Sequence, residues 1–264
     1  MIMFWIIFTK VKPFYLLLRY NLQVIMSCNP FPKFLPVVLL LIINQNVCAQ
    51  DYTPIVRNYM KESNVFSPLY NGTLPPQYKS TYDGTYFLES EEYFPGTVIY
   101  DGKEYEDLSL NLNAHLDELY VRIPGNHISS VLIKSYVTSF HLGDMAFLHI
   151  TRFAFPRTPE EGYFRVLFSG EHIRLFKRIK KNYISANPNE TRSSHLFETR
   201  ISYYMVTQDG MFHPVKTKGS LLKILHDQKK PLKKHINENK LKFKSANLDQ
   251  TLTSCAAQYE KIIK

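Results

Sequence analysis

Residues 97–123 read TVIYDGKEYEDLSLNLNAHLDELYVRI. Within them Leu108, Leu110 and Leu112 alternate with Ser109, Asn111 and Asn113, and Leu119, Val121 and Ile123 alternate with Tyr120 and Arg122. A period of two places each apolar set on one side of a pleated strand, the pattern of a half-buried sheet. Asp101-Gly102 separates two such runs, and Asp and Gly are the residues that tolerate the positive φ of a tight hairpin. Similar runs occur at 128–134, 137–142, 145–151, 163–168, 172–180, 200–207 and 211–216, with Ser169-Gly170 and Asp209-Gly210 as further turn signals. About ten strands in meander order follow from this spacing. No helical periodicity interrupts residues 95–216, which argues against parallel βαβ units.

Beyond Gly219 the pattern changes. Ser220 is placed to cap a short helix carrying Leu221, Leu222 and Leu225, and Pro231 suits the first turn of another bearing Leu232 and Ile236. A third helix after the cap candidate Asn247 aligns Leu248, Leu252, Cys255, Ala256, Tyr259 and Ile263 on one face. Cys255 on that stripe reads as a buried structural thiol. The expected fold is mainly β: an antiparallel meander sheet, strongly bent or a partly closed barrel, with a small C-terminal α-helical cap.

The N-terminal end has a different character. Residues 1–49 contain no acidic side chain and carry Lys10, Lys12, Arg19 and Lys33 among aliphatics and aromatics. Lys33, the apolar run Leu35–Ile43 and the small residues up to Ala49 match a secretory signal peptide, with cleavage between Ala49 and Gln50. The run falls short of the roughly 20 apolar residues that span a bilayer. Met26 reads as the natural start, giving a signal peptide over 26–49. Val47 before Cys48 disfavours a lipoprotein site. The domain plan is therefore a targeting segment at 1–49, an arm at 50–84, an antiparallel β domain at 85–218 and a helical cap at 219–264.

Removing residues 1–49 lowers the formal net charge from +9 to +5. The remaining charge is uneven: residues 215–264 hold 12 Lys against Asp227, Glu238, Asp249 and Glu260, while residues 50–214 hold 16 basic and 19 acidic side chains. Only Cys255 remains, so no internal disulfide is available to the exported chain. Two basic tracts are candidate anionic-surface binders. The first is a β-strand stripe with Arg174, Lys177, Arg178 and Lys180, which also reads as charge protection of an edge strand. The second is the lysine-rich tail, with Lys216, Lys218, Lys229, Lys230, Lys233 and Lys234, which suits acidic glycans or anionic head groups and equally a solvated helix face.

Motifs for chemistry are sparse. The sequence has no HExxH, CxxC, GxGxxG or P-loop, and its nine His are scattered. His141 and His149 on neighbouring strands supply half of a zinc site, Asp117-Glu118 reads as a turn, and Ser169 lacks the context of a nucleophile elbow. No catalytic set, metal site or cofactor is assigned. Export disfavours nucleic acid as a partner.

The hairpin Val98-Ile99-Tyr100-Asp101-Gly102-Lys103-Glu104-Tyr105, the run Asp117-Glu118-Leu119-Tyr120-Val121, and the tail Pro214–Lys223 through Asn239–Lys244 resemble a family of exported, uncharacterised proteins of Bacteroidetes-type bacteria. The resemblance covers residues 85–264. It implies a Gram-negative protein of the periplasm, the outer membrane or the exterior, in which the sequons at Asn71 and Asn189 carry no glycan. The expected function is non-enzymatic binding, as a structural or adaptor protein of the bacterial envelope whose partner is a protein, glycan or lipid. The alternatives are a half-barrel carrier of an apolar ligand such as lipid or lipoprotein, and a hydrolase without a linear motif.

Overall fold

The computed structural model describes residues 68–78, 81–125, 127–185 and 195–263. The targeting segment, the cleavage site at Ala49 and Gln50, most of the arm and the sequon at Asn189 lie outside the described residues. The fold is mainly β, with one large mixed sheet and a helical C-terminal end. The strands are β1 (Tyr82–Asp83), β2 (Phe94–Tyr100), β3 (Lys103–Asn113), β4 (Glu118–Arg122), β5 (Ser129–Val131), β6 (Val137–Leu142), β7 (Met145–Ile150), β8 (Gly162–Ser169), β9 (Arg174–Ile184), β10 (His195–Val206) and β11 (Phe212–Pro214). The helices are α1 (Lys218–Ile224), α2 (Lys229–Glu238) and α3 (Leu248–Ile263).

The spatial order is β1-β10-β9-β8-β7-β6-β2-β3-β4-β5, with β11 also on β10. Two features depart from a simple meander. β1 joins β10 in parallel, and β6 returns to pair with β2 instead of β5. Only residues 132–136, partly wound as a 3-10 turn, link β5 to β6. Five extended residues reach less than about 20 Å. In a flat sheet β5 and β6 stand four strand spacings apart, about 19 Å, and their registers are also offset along β3 from Asn111 to Lys103. The β2–β5 strip must therefore roll. A bulge helps it: Glu106 and Asp107 stand against the single residue Thr97, and Asp107 adopts φ 54°.

The bend brings the β3–β4 turn onto β9, where the Lys181 N–H donates to the Ala114 carbonyl at 3.0 Å. The sheet does not close into a barrel, so of the two expected forms it takes the bent one. Its edges are instead covered by short pieces: Thr73 bridges Val131 at β5, and β1 and β11 pair only with the two ends of β10.

Turn chemistry follows the sequence at Asp101 (φ 51°) and Gly102 (φ 73°). At Ser169-Gly170 the reason for glycine is different, since a Cβ at Gly170 would overlap the Glu260 carboxylate. The polar side of β3 also departs from expectation. Asn111 and Asn113 are fully buried. The Asn111 amide donates to the carbonyls of Ser90 and Glu92, and Asn113 donates to the Tyr120 hydroxyl at 2.7 Å. Two polar residues of this face thus become interior because their amides find hydrogen-bond partners there.

Leu110, Leu112, Leu119, Val121, Phe140 and Leu142 form the core of the β2–β7 half. Leu175 and Met205 on the sheet pack with Leu221, Leu225, Leu232 and Leu252 of the helical cap. Thr217, not Ser220, is the N-cap of α1, and Ser220 completes the capping box by accepting from the Thr217 N–H. Cys255 is completely buried among these leucines, and burial pushes its thiol up to about 11.

Candidate functional site

The stripe on β9 does not lie on an edge, because β9 is paired with β8 on one side and β10 on the other. Its cations are individually matched. Arg178 is 3% exposed and donates to Asp117 Oδ1 at 2.5 Å and to the Tyr163 carbonyl at 2.7 Å. Lys134 joins the same carboxylate. Burial alone would raise Asp117, but Arg178 and Lys134 outweigh it and hold the carboxyl below its ordinary range. Lys177 donates to Asp249 Oδ2 at 2.7 Å, Lys180 pairs with Glu160, and the Arg174 guanidinium sits 5.6 Å from the centre of the Phe155 ring. These side chains serve internal carboxylates and rings and do not form a continuous track.

In the tail, Lys229, Lys230, Lys233 and Lys234 are exposed on α2 while Leu232 and Ile236 face inward. Lys234 stands 3.7 Å from Glu238 one turn on. Lys216 is exposed, and Lys218 donates to Asn237 Oδ1 at 3.0 Å. His141 contacts Thr97, whereas His149 contacts the Val137 carbonyl. With His141 opposite Ala146, three residues from His149, the two imidazoles fall on opposite faces. Among the described residues no group of three or more His, Cys, Asp or Glu has the geometry to hold a metal ion.

The structure gathers a different set of residues where the sheet meets the cap. An open cleft of about 720 Å³ is lined by His172 and Ile173 from the β8–β9 turn, and by Thr207, Gln208 and Asp209 from the β10–β11 turn. His213 and Pro214 of β11, Ser220, Lys223 and Ile224 of α1, then His226 and Tyr259 complete it. Glu260 of α3 fixes one wall by accepting from the His172 N–H at 2.8 Å and the Ile173 N–H at 2.9 Å, with His172 Nδ1 at 3.1 Å from its other oxygen. Although burial opposes it, these hydrogen bonds keep Glu260 ionised below its ordinary range.

Asp209 is held in the turn by Thr207 Oγ1 at 2.5 Å and the Met211 N–H at 3.1 Å, and the Thr207 hydrogen bond lowers its pKa. Tyr259 donates to Asp227 at 3.2 Å, and burial pushes its hydroxyl up to about 12, so it remains a donor at neutral pH. The carboxylates around the cleft are thus committed. Among the described residues no side-chain hydrogen bond or ion pair engages Lys223, His213 or His226, although His213 helps to lower the pKa of Asp209.

The three histidines come from the β8–β9 turn, strand β11 and the α1–α2 connection, and no linear spacing announced their meeting. The only sequence signal was that His172, His213 and His226 each stand at or beside a turn. Compared with family models, curated proteins and solved structures, the chain matches none.

Proposed function

We propose that the protein is an exported, non-enzymatic binding or adaptor module of the bacterial envelope, periplasmic or associated with the outer membrane. The observation that carries this reading is where space is filled and where it is left open. Between sheet and helices, the place for an apolar cargo, Leu175, Met205, Leu221, Leu225, Leu232 and Leu252 are all fully buried and pack on one another. An open cleft of mixed polar and apolar lining lies at the rim. A carrier needs a hollow apolar interior, so the packed core favours recognition at the surface over transport.

Native mass spectrometry and quantitative cross-linking of protein purified from its own envelope test the reading. The expected result is a protein free of lipid, cross-linked reproducibly to one envelope partner or glycan through the cap end. Stoichiometric lipid would establish the carrier instead. Recovery of the mature chain in the cytosol, or an N-terminus far from Gln50, would remove export.

A further inference from the structure

Resting on the reading of an envelope binding module, we propose that the lysine-rich surface of α2 and the α2–α3 connection docks the protein on an anionic lipid surface. Lys229, Lys230, Lys233 and Lys234 are all exposed on α2, and at about 100° per residue they occupy roughly 140° of its circumference. Leu232 and Ile236 fall outside that arc and are buried in the cap core. Beyond α2, Lys240, Lys242 and Lys244 are exposed, while Leu241 and Phe243 between them pack on the same core. The connection is fastened at both ends: the Leu241 N–H donates to the Ile236 carbonyl at 3.0 Å, and the Thr251 hydroxyl donates to the Lys242 carbonyl at 2.9 Å. These lysines therefore stand on backbone that is fixed to the cap.

The charge of this surface survives full accounting. Residues 216–244 hold ten Lys against Asp227 and Glu238, an excess of +8 with both carboxylates counted as charged whatever they contact and His neutral. Within 229–244 the one ion pair among the described residues is Lys234 with Glu238 at 3.7 Å, both largely exposed. Residues 50–214, by contrast, hold 16 basic and 19 acidic side chains. A protein positive on its cap and slightly negative over the rest is turned by an anionic surface so that the cap faces it. An envelope partner held in the same membrane is then reached from the cap end.

The residue types select the partner. All twelve basic residues beyond Val215 are Lys, and no Arg follows Arg200. Arg makes rigid two-pronged bonds to a carboxylate or phosphate, whereas the Lys ammonium is a hydrated point charge on a flexible stem. Protein interfaces are anchored by buried aromatic and Arg side chains and are poor in Lys. The exposed large apolar side chains among the described residues, from Leu74 to Met211, all lie outside the cap. A layer of phosphate head groups asks for no fixed geometry and meets many point charges at once. Each lysine brought within a Debye length of about 8–10 Å raises partitioning onto it about 5-fold. With no exposed large apolar side chain to insert, the attachment is electrostatic and is released by salt.

Flotation of the exported protein with vesicles at about 0.1 M NaCl tests the assignment, using phosphatidylcholine alone and with about 30 mol % phosphatidylglycerol. The protein is expected to float with the anionic vesicles only, to be released at about 0.5 M NaCl, and to stay bound in about 5 mM glycerol phosphate. Lys229→Gln/Lys230→Gln/Lys233→Gln/Lys234→Gln is expected to lower partitioning at least about 50-fold. Lys103→Gln/Arg152→Gln/Arg157→Gln/Arg200→Gln removes the same charge from exposed positions of the β body and is expected to lower it less than about 5-fold. Circular dichroism verifies that both variants are folded. The proposal is overturned if the anionic vesicles do not float the protein, if phosphatidylcholine floats it equally, or if the body variant loses as much as the α2 variant. Release by glycerol phosphate would assign a small-anion site instead, and tighter binding of polyglutamate or polygalacturonate than of vesicles at equal charge would assign a soluble acidic polymer; either also overturns it. Failure on vesicles with the envelope partner still cross-linked removes lipid docking and leaves the adaptor reading intact.

Discussion

Asp117→Asn tests what keeps the bent sheet folded over. Asp117 sits in the β3–β4 turn at φ 60°, a conformation that Asn also tolerates, so the backbone has no reason to change. The substitution removes the charge that faces Arg178 and Lys134. Arg178, 3% exposed, then keeps at most a neutral amide oxygen at position 117, the Tyr163 carbonyl and the Glu160 carboxylate at 3.9 Å. Breaking one side of a buried pair costs about 3–5 kcal/mol, and the low end applies because Glu160 still compensates in part. Urea unfolding at pH 7 followed by circular dichroism should thus lose about 3 kcal/mol, a large part of the 5–15 kcal/mol typical of a domain.

The loss should be local as well as global. Exchange of the Lys181 amide, bonded to Ala114 beside the pair, should accelerate more than that of amides in α3. Asp117→Asn/Arg178→Leu, which removes both charges, should recover most of the stability. A loss under about 1 kcal/mol, or a double variant no better than Asp117→Asn, would refute the pin.

Four further outcomes follow from neighbouring contacts. Gly162→Ala should destabilise by about 2 kcal/mol or more in the same urea assay, because a Cβ at φ 137° meets both Asp117 and Arg178. Glu260→Ala should cost about 2–4 kcal/mol by stranding the His172 and Ile173 N–H groups, with proteolytic nicking near residues 169–173 as a second readout. Cys255, with its thiol raised to about 11 and no exposure, should resist iodoacetamide in the folded chain and react only in denaturant, as read by peptide mass mapping. Asp117, Asp249 and Glu260 all have lowered pKa values, so each stabilises above the unfolded carboxylate range near about 4 and loses that contribution as pH falls through its folded value. The urea midpoint should accordingly fall modestly from about pH 7 to 5, where unfolding lets the half-buried His149, whose folded pKa is lowered by burial, take up a proton, and drop more steeply below about pH 4, the second fall being shallower in Asp117→Asn.

The strands were legible because alternation is local. Leu108, Leu110 and Leu112 announce a buried face whatever lies beyond them, and the Leu248–Tyr259 stripe announces a helix in the same way. The return of β6 to β2 was not legible, because it depends on how far the β2–β5 strip rolls, and the Asp107 bulge that assists the roll resembles any acidic strand residue. Arg178 illustrates the limit for the site. Its strand neighbours predict a basic stripe, but its fate is decided by Asp117, which arrives from a turn 61 residues earlier in sequence. The cleft was illegible for the same reason, with His172, His213 and His226 brought together only by tertiary packing.

Charge accounting ties the fold to the proposed surface. In the β body, Asp117 and Glu160 share Arg178, Lys134 and Lys180, which leaves one positive charge over, and Asp249 reaches back from α3 to take Lys177 and the Tyr203 hydroxyl. The cap contributes 12 Lys and four acidic residues, and three of those four are directed inward or sideways: Asp249 to Lys177, Glu260 to His172 and Asp227 to Tyr259. Only Asp249 is spent on a lysine of the sheet, Asp227 keeps its charge on a neutral hydroxyl, and the twelve lysines outnumber the four carboxylates whatever those contact. The excess of positive charge is concentrated at the cap end, where Lys223 and the lysines of α2 face solvent, and exposed charge of one sign attracts its opposite over about 8–10 Å at physiological salt.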